Sequence, residues 1–493
     1  MASSTSQPDY YARIAGKARS TCELLDDHPD LAGAWKLLFE QIQNPEFVVS
    51  ELLQNADDAG ATHAEVTLQE GSFVFAHDGQ DFNEEQFASL CRFGFSNKRT
   101  IHTIGFRGIG FKSTFSLGEK VEVWTPSLGV AFSDKRFIEP QWIHDGRQVT
   151  DTRVIIQLDR PGAERAISQS LNKWGNSPNI RKLTINGKSV ERTESATQVP
   201  QTYSVQLSGE TDQSLYILRS EKESFPQEAI DEICETRGLK DVSDLHLGGC
   251  EVEVVLGLKG HQHLFVVLPT GEPLALPFSV NAPFILKPDR FDIKSNSPTN
   301  SWLLERAGKL VAQVILDWLG DISMGIEKRA EAYGFLPDPE QEGGSGSENI
   351  YDAIVSCLED QKIILNCQGE LCEIGAASVP ASLFDIWSPS QISELFCSES
   401  ELLTPIVGRK TRLKLSNLNW VEFVTTEEVM DEMAKSDSLP KPDTWPQLAS
   451  LWTFVLEHHS PYTWGAVDRR ELPLVPVIDC GNLLPATKVI RVS

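Results

Sequence analysis

The chain has 493 residues, with 44 Lys and Arg against 70 Asp and Glu, a formal net charge of −26 at pH 7. Such an acidic excess argues against a phosphate backbone as direct ligand, because nonspecific nucleic-acid affinity comes from clustered Lys and Arg. At 40% hydrophobic and 23% charged the composition is globular, and the length suits about three domains. In chain order, residues 1–10 lack the apolar stretch of a signal peptide. No run reaches the roughly 18 apolar residues of a bilayer span, so no membrane partner and a cytoplasmic location are expected.

The spacing predicts a helix over residues 45–59. At 100° per residue Val48, Leu52, Ala56 and Ala59 form an apolar stripe, while Ser50, Gln54 and Asp57 face water. Glu51, Asn55 and Asp58 line the border. A carboxylate at the edge of a core costs several kcal/mol unless something compensates it, and a bound cation or an attacking water would do so. Solvated carboxylates and a local cap at Asn55 are the alternative. Residues 64–68 and 72–76 read as strands, the second running into His77-Asp78-Gly79. A carboxylate at a strand end, before a glycine that lets backbone approach a ligand, suits acceptance from a flat amine. The same letters also make a common turn.

Asn83 and Gln86 form a capping box that opens a short helix over residues 84–93, closed by Gly94. Residues 94–103 are polar and basic and fit a lid. Gly105, Gly108 and Gly110 then precede a helix-compatible run, offering bare amides and a helix N-terminus to an anion. Phe111 stands between the last glycine and Lys112-Ser113, and no buried strand precedes the loop, which excludes a P-loop.

The order Glu51-x-x-x-Asn55, strand-Asp78-Gly79, then a glycine-rich loop resembles the Bergerat-fold (GHKL) ATPases, the superfamily of heat-shock chaperones, MutL proteins, type II topoisomerases and sensor kinases. The wording of residues 51–59 is most similar to the sacsin-type and NO VEIN-like branch. Residues 151–158 resemble the late strand of this fold whose threonine helps hold the adenine. The resemblance covers the first third of the chain and implies ATP and Mg²⁺ as ligands. It makes Glu51 the general base toward the terminal phosphate and Asn55 the Mg²⁺ ligand, with Asp58 behind them. Asp78 would accept the adenine amino proton, Thr152 assisting and Gly79 giving room. Gly105, Gly108 and Gly110 would wrap the phosphates with backbone amides, Ile109 and Phe111 belonging to the same cofactor-binding loop, with Lys112, Lys98 and Arg107 neutralising charge. Lys98 and Arg107 read equally as a solvated loop. His77 departs from the family pattern, where a smaller polar residue is expected.

The implied fold is an α/β (α+β) sandwich over residues 1–195, helices lying on one face of a mixed, largely antiparallel sheet. A second, transducer-like α/β domain is expected over residues 200–337. In it residues 251–258 and 263–268 read as adjacent strands, 277–286 follows a Gly-Glu-Pro turn, and helix runs over 301–333. Residues 280–290 are similar to the stretch that follows the ATPase module in sacsin-type chains. A basic residue there reaches the terminal phosphate in relatives, which makes Arg290 the candidate and Lys287 its alternative. The Gly/Ser run at 343–347 marks a linker over 338–349, leaving a mixed scaffold or partner-binding module over 350–493. Residues 363–371 and 475–483 form a faint repeat of strand, turn and Gly-x-Leu. Nine scattered cysteines without a C-x-x-C pair read as reduced thiols, not metal ligands.

Together these features lead to the expectation of a Mg²⁺-dependent ATPase that moves a lid and a domain for a protein partner or client. A static ATP-binding module is the alternative. A homodimer is admitted by the resemblance alone, and a sensor kinase lacks an upstream phosphoacceptor histidine.

Overall fold

The computed structural model describes residues 7–41, 45, 48–69, 71–92, 110–144, 147–170, 180–209, 212–237, 249–266, 268–287, 292–341, 343–397, 401–458, 469–477 and 480–490. Two compact units divide the chain, Met1–Leu274 with Phe278–Ala307, and Ala275–Pro277 with Gly308–Ser493.

The first unit opens with helices α1 (Tyr11–Asp27), α2 (Pro29–Gln41) and α3 (Val48–Asp58), then strands β1 (His63–Gln69) and β2 (Ser72–His77). Helix α4 (Glu84–Leu90) and a 3₁₀ helix (Gly110–Ser116) lead to β3 (Lys120–Trp124), β4 (Gly129–Ser133), β5 (Arg136–Trp142) and β6 (Thr152–Gln157). Helix α5 (Ala163–Ser170) precedes β7 (Lys182–Ile185), β8 (Lys188–Ala196), β9 (Thr202–Ser208), β10 (Gln213–Arg219) and α6 (Gln227–Arg237). Strands β11 (Glu253–Leu256), β12 (Gln262–Val266), β13 (Leu268–Leu274) and β14 (Phe278–Asn281) complete the sheet before α7 (Pro298–Gly320).

Among the described residues these fourteen strands form one sheet in the order β13-β12-β14-β11-β10-β9-β8-β7-β1-β2-β6-β3-β4-β5. All neighbours pair antiparallel except β1 with β7 and β12 with β14, so the sheet is mixed and largely antiparallel as expected. Its alternation places the core. On β2 Phe73 and Phe75 are buried, on β6 Val154 and Ile156, on β1 Ala64 and Val66, and all pack with Val48, Val49, Leu52, Leu53 and Ala56 of α3. Each of the Val, Leu, Ile and Phe side chains contributes roughly 1.5–3 kcal/mol on burial and the alanines less, enough in sum to fix α3 against this sheet face.

Local chemistry sets the turns. Asn186 and Gly187, at φ 49° and 82°, make the two-residue turn between β7 and β8 that needs left-handed backbone at both positions. The capping box of α4 is present as expected, Asn83 Oδ1 accepting from Gln86 N at 2.9 Å and Gln86 Oε1 from Asn83 N at 3.0 Å.

Several expectations change. The boundary read between residues 195 and 200 falls where β8 leads into β9, an antiparallel pair, and the sheet runs through among the described residues. Strands β11 and β12 are not neighbours, because β14 lies between them, antiparallel to one and parallel to the other. The long helix expected to Tyr333 ends at Gly320. There Asp321 Oδ1 takes the Ser323 amide and hydroxyl, a turn that competes with helix.

In the second unit the Gly/Ser run is not a free linker. Helix α8 (Ile326–Ala330) is followed by α9 (Ser345–Leu358), which begins inside that run with Gly344 as its N-cap. The Ser347 hydroxyl accepts from the Ala275 amide at 3.1 Å. Both copies of the faint repeat are antiparallel hairpins, β15 (Ile364–Leu365) with β16 (Leu371–Cys372), and, further on, residues 473–476 with 482–485. Among the described residues no helix is long and apolar enough to cross a membrane.

Candidate functional site

Helix α3 presents the first set of residues. Val48, Leu52 and Ala56 of its apolar stripe are buried as expected and Ala59 half-buried, yet Ser50, Glu51, Gln54 and Asp57 are buried too, while Asn55 is half-buried and Asp58 exposed. The face expected to meet water is covered because α3 packs against the 3₁₀ helix and α5 as well as lying on the sheet. Gln54 is 2% exposed, and among the described residues neither its amide oxygen nor its amide nitrogen has a hydrogen-bond partner. The Asn55 amide makes no hydrogen bond to a described residue, leaving an oxygen of the kind a hard cation takes.

The end of β2 presents the second set. His77 follows Phe73 and Phe75 at a spacing of two, so it projects from the same α3-facing side of the sheet and is buried with them. In the antiparallel register His77 lies opposite Thr152 of β6, which puts the two side chains on one face. The Thr152 hydroxyl is buried and has no hydrogen-bond partner among the described residues. Gly79 closes the corner. A Cβ there would stand 2.9 Å from the Ala59 Cβ and 2.9 Å from His77 Nδ1, and Gln80 N donates to Ala59 O at 2.9 Å. The strand end is thus drawn against the C-terminal end of α3, near Asn55.

Electrostatics distinguish His77 from Asp78. Burial lowers the His77 pKa to about 4, against the opposing pull of Asp78 and Asp151, so the imidazole is neutral at pH 7. Its Nδ1 accepts the Gly79 amide proton at 3.1 Å. Asp78 projects to the other side. Its Oδ1 accepts from Thr62 N and His63 N, both at 2.8 Å, and its Oδ2 from Thr62 Oγ1 at 2.7 Å. Burial alone would raise its pKa, but the bonds from His63 and Thr62 hold it below the usual carboxylate range. The residue expected to accept an amino proton is placed as a clasp on the entry to β1, and the residue on the α3-facing side is His77. Strand alternation carried that signal, since Phe73, Phe75 and His77 share one parity.

The glycine-rich stretch gives the third set. Gly110 and Phe111 open the 3₁₀ helix, and Phe111 packs edge-on to Phe132 and Phe115. Lys112 is turned into the core instead of toward a ligand. It is 1% exposed, with Nζ donating to Leu90 O at 2.6 Å and Phe137 O at 2.7 Å, among the rings of Phe111, Phe132 and Phe137. Burial lowers its pKa to about 7, with the Cys91 and Cys22 thiols pulling the other way. Lys287 pairs with Asp292 at 2.9 Å. Lys98, Gly105, Arg107, Gly108, Ile109 and Arg290 lie outside the described residues.

Comparison with known proteins addresses this same stretch. Residues 43–152, from just before α3 to the first residue of β6, match the family model described as histidine kinase-, DNA gyrase B- and HSP90-like ATPase. The segment is a domain of the GHKL type. A DNA mismatch repair protein MutL from Chlorobium chlorochromatii (strain CaD3) is 36% identical over 107 residues, 19% of this chain and 16% of that protein. The chain thus spans a small fraction of that relative's length. The GHKL segment ends where Thr152 faces His77, so α3, the β2 corner and the 3₁₀ helix all lie within it.

Proposed function

We propose that the GHKL-type domain binds ATP with Mg²⁺ and hydrolyses it. The observation that carries this reading is the buried, unpartnered Thr152 hydroxyl on the α3-facing side of the sheet. A buried hydroxyl without a partner costs on the order of 1–3 kcal/mol, a cost that a ligand atom or its bound water removes. The Gly79 corner leaves no space for a side chain beside it, which suits a flat base lying on the backbone. Glu51, on the same helix as Asn55 and one turn before it, orients and deprotonates water toward the terminal phosphate. Bound Mg²⁺, taken by the Asn55 amide oxygen with Asp58 nearby, supplies charge neutralisation on the phosphates. Gly110 and the residues before it, Gly105 to Ile109, supply backbone amides.

Lys98, Arg107 and Arg290 are the cations assigned to the phosphates, and Arg290 reports the terminal one. Turnover drives a lid and domain switch that serves chaperone-like remodelling or control of an effector, in a sacsin or NO VEIN-like branch, with a protein client and a cytoplasmic setting. Mismatch repair is not carried over, because a net charge of −26 offers DNA no general electrostatic footing. The burial of Lys112 favours a second reading, ATP held as a structural ligand without turnover, since the lysine nearest the glycine loop is committed to two carbonyls.

Calorimetry with ATP and Mg²⁺, paired with phosphate detection, tests both. Glu51→Ala should keep binding and abolish phosphate release. Equal release from Glu51→Ala and wild type would leave only the binding module, and absence of ATP binding by the wild type would remove the proposal altogether.

A further inference from the structure

The chemistry at the β2 corner bears on which purine the site takes, an inference that rests on the nucleotide reading above. Gly79 N–H donates to His77 Nδ1 at 3.1 Å. A nitrogen that accepts a backbone proton carries none of its own, so in the neutral ring the proton sits on Nε2. Among the described residues Nε2 makes no hydrogen bond, and it lies on the sheet face that carries the unpartnered Thr152 hydroxyl. The carboxylate that follows in sequence cannot serve on this face, because Asp78 is occupied from the other side by Thr62 and His63. Where a carboxylate would offer only acceptors and so demand an exocyclic amine, this corner offers an N–H donor and a hydroxyl that adapts to either role.

We propose that His77 reads the purine as a hydrogen-bond donor through Nε2–H, so that the site accepts a 6-oxopurine triphosphate at least as readily as ATP. The 6-oxo group of such a base accepts from this donor, whereas a 6-amino group in the same place does not. A pocket built around a hydrogen bond discriminates strongly against a ligand that leaves its buried group unpaired, so the choice of donor or acceptor at this one residue decides the preference.

The test is calorimetric titration of the full chain with ATP and with inosine triphosphate, both with Mg²⁺, at pH 7.5. In the wild type the two dissociation constants should agree within about threefold or favour inosine triphosphate. In His77→Asp, with folding checked by circular dichroism, the ratio should move about tenfold or more toward ATP. A wild type that binds both nucleotides but prefers ATP by about tenfold overturns the role of His77 and leaves the nucleotide site standing. A folded His77→Asp with an unchanged ratio does the same. If neither nucleotide binds the wild type, the nucleotide reading falls, and this inference with it.

Discussion

Lys112 is an amine held where water cannot reach it. Its pKa falls from 10.5 to about 7 on burial, so between those values the unfolded chain binds a proton that the folded chain does not. The Lys112 contribution to stability is therefore most favourable above pH 10.5 and declines as pH drops toward 7, by several kcal/mol in total. His77 behaves alike in a lower window, from 6.5 down to about 4. Urea unfolding of the wild type should give a free energy that climbs between pH 7 and pH 9.5. In Lys112→Met that climb should flatten, because the aliphatic side chain keeps the volume without the proton. An equal climb in both would show that the ammonium is not the source. Gln54 invites a separate measurement. With both amide atoms buried and unpaired, Gln54→Met should raise the unfolding free energy by roughly 1–2 kcal/mol. A loss of stability would mean that the amide is satisfied in solution.

At the level of elements, the corner between α3 and β2 is held by close backbone approach more than by side-chain bonds. Gly79 is the contact point, since a methyl there would meet the Ala59 Cβ and His77 Nδ1, both at 2.9 Å. Gly79→Ala should push the β2 end from α3 and cost about 1–3 kcal/mol of stability, as overpacking commonly does. Nucleotide affinity should weaken with it, because His77 and Thr152 would lose their shared placement. Thermal melts and ATP titration of the variant check the two effects separately. A variant with wild-type stability and affinity would show that the corner has slack.

Across the whole molecule, the first unit is tied together by a sheet that continues from one expected domain into the next. Strand β8 pairs with β7 on one side and β9 on the other, so a cut near residue 195 bares a strand edge over its length. Unpaired edges of this kind recruit other chains. A fragment of residues 1–195 should accordingly aggregate or fail to accumulate, whereas the full chain stays in solution. A soluble, monomeric fragment by size-exclusion chromatography would show that the boundary read from the sequence is a physical one.

Local chemistry was legible in the letters. The capping box at Asn83 and Gln86, the Asn186-Gly187 turn, the apolar stripe of α3 and the strand character of β1, β2 and β6 all follow from side chains acting on backbone within a few residues. The order of motifs pointed to the GHKL type for the same reason, since spacing along one helix or one strand is a local quantity. What needed tertiary structure was direction and coverage. Alternation puts His77 on the side of Phe73 and Phe75, but that α3 covers this side, and that Thr62 and His63 occupy Asp78, depends on contacts between separate elements. Whether Gln54 and Lys112 meet water depends on what lies over them. The place of β14 between β11 and β12 depends on pairing between distant segments. Burial and strand order arise from contacts far apart in sequence, and one chain read in order carries no term for them.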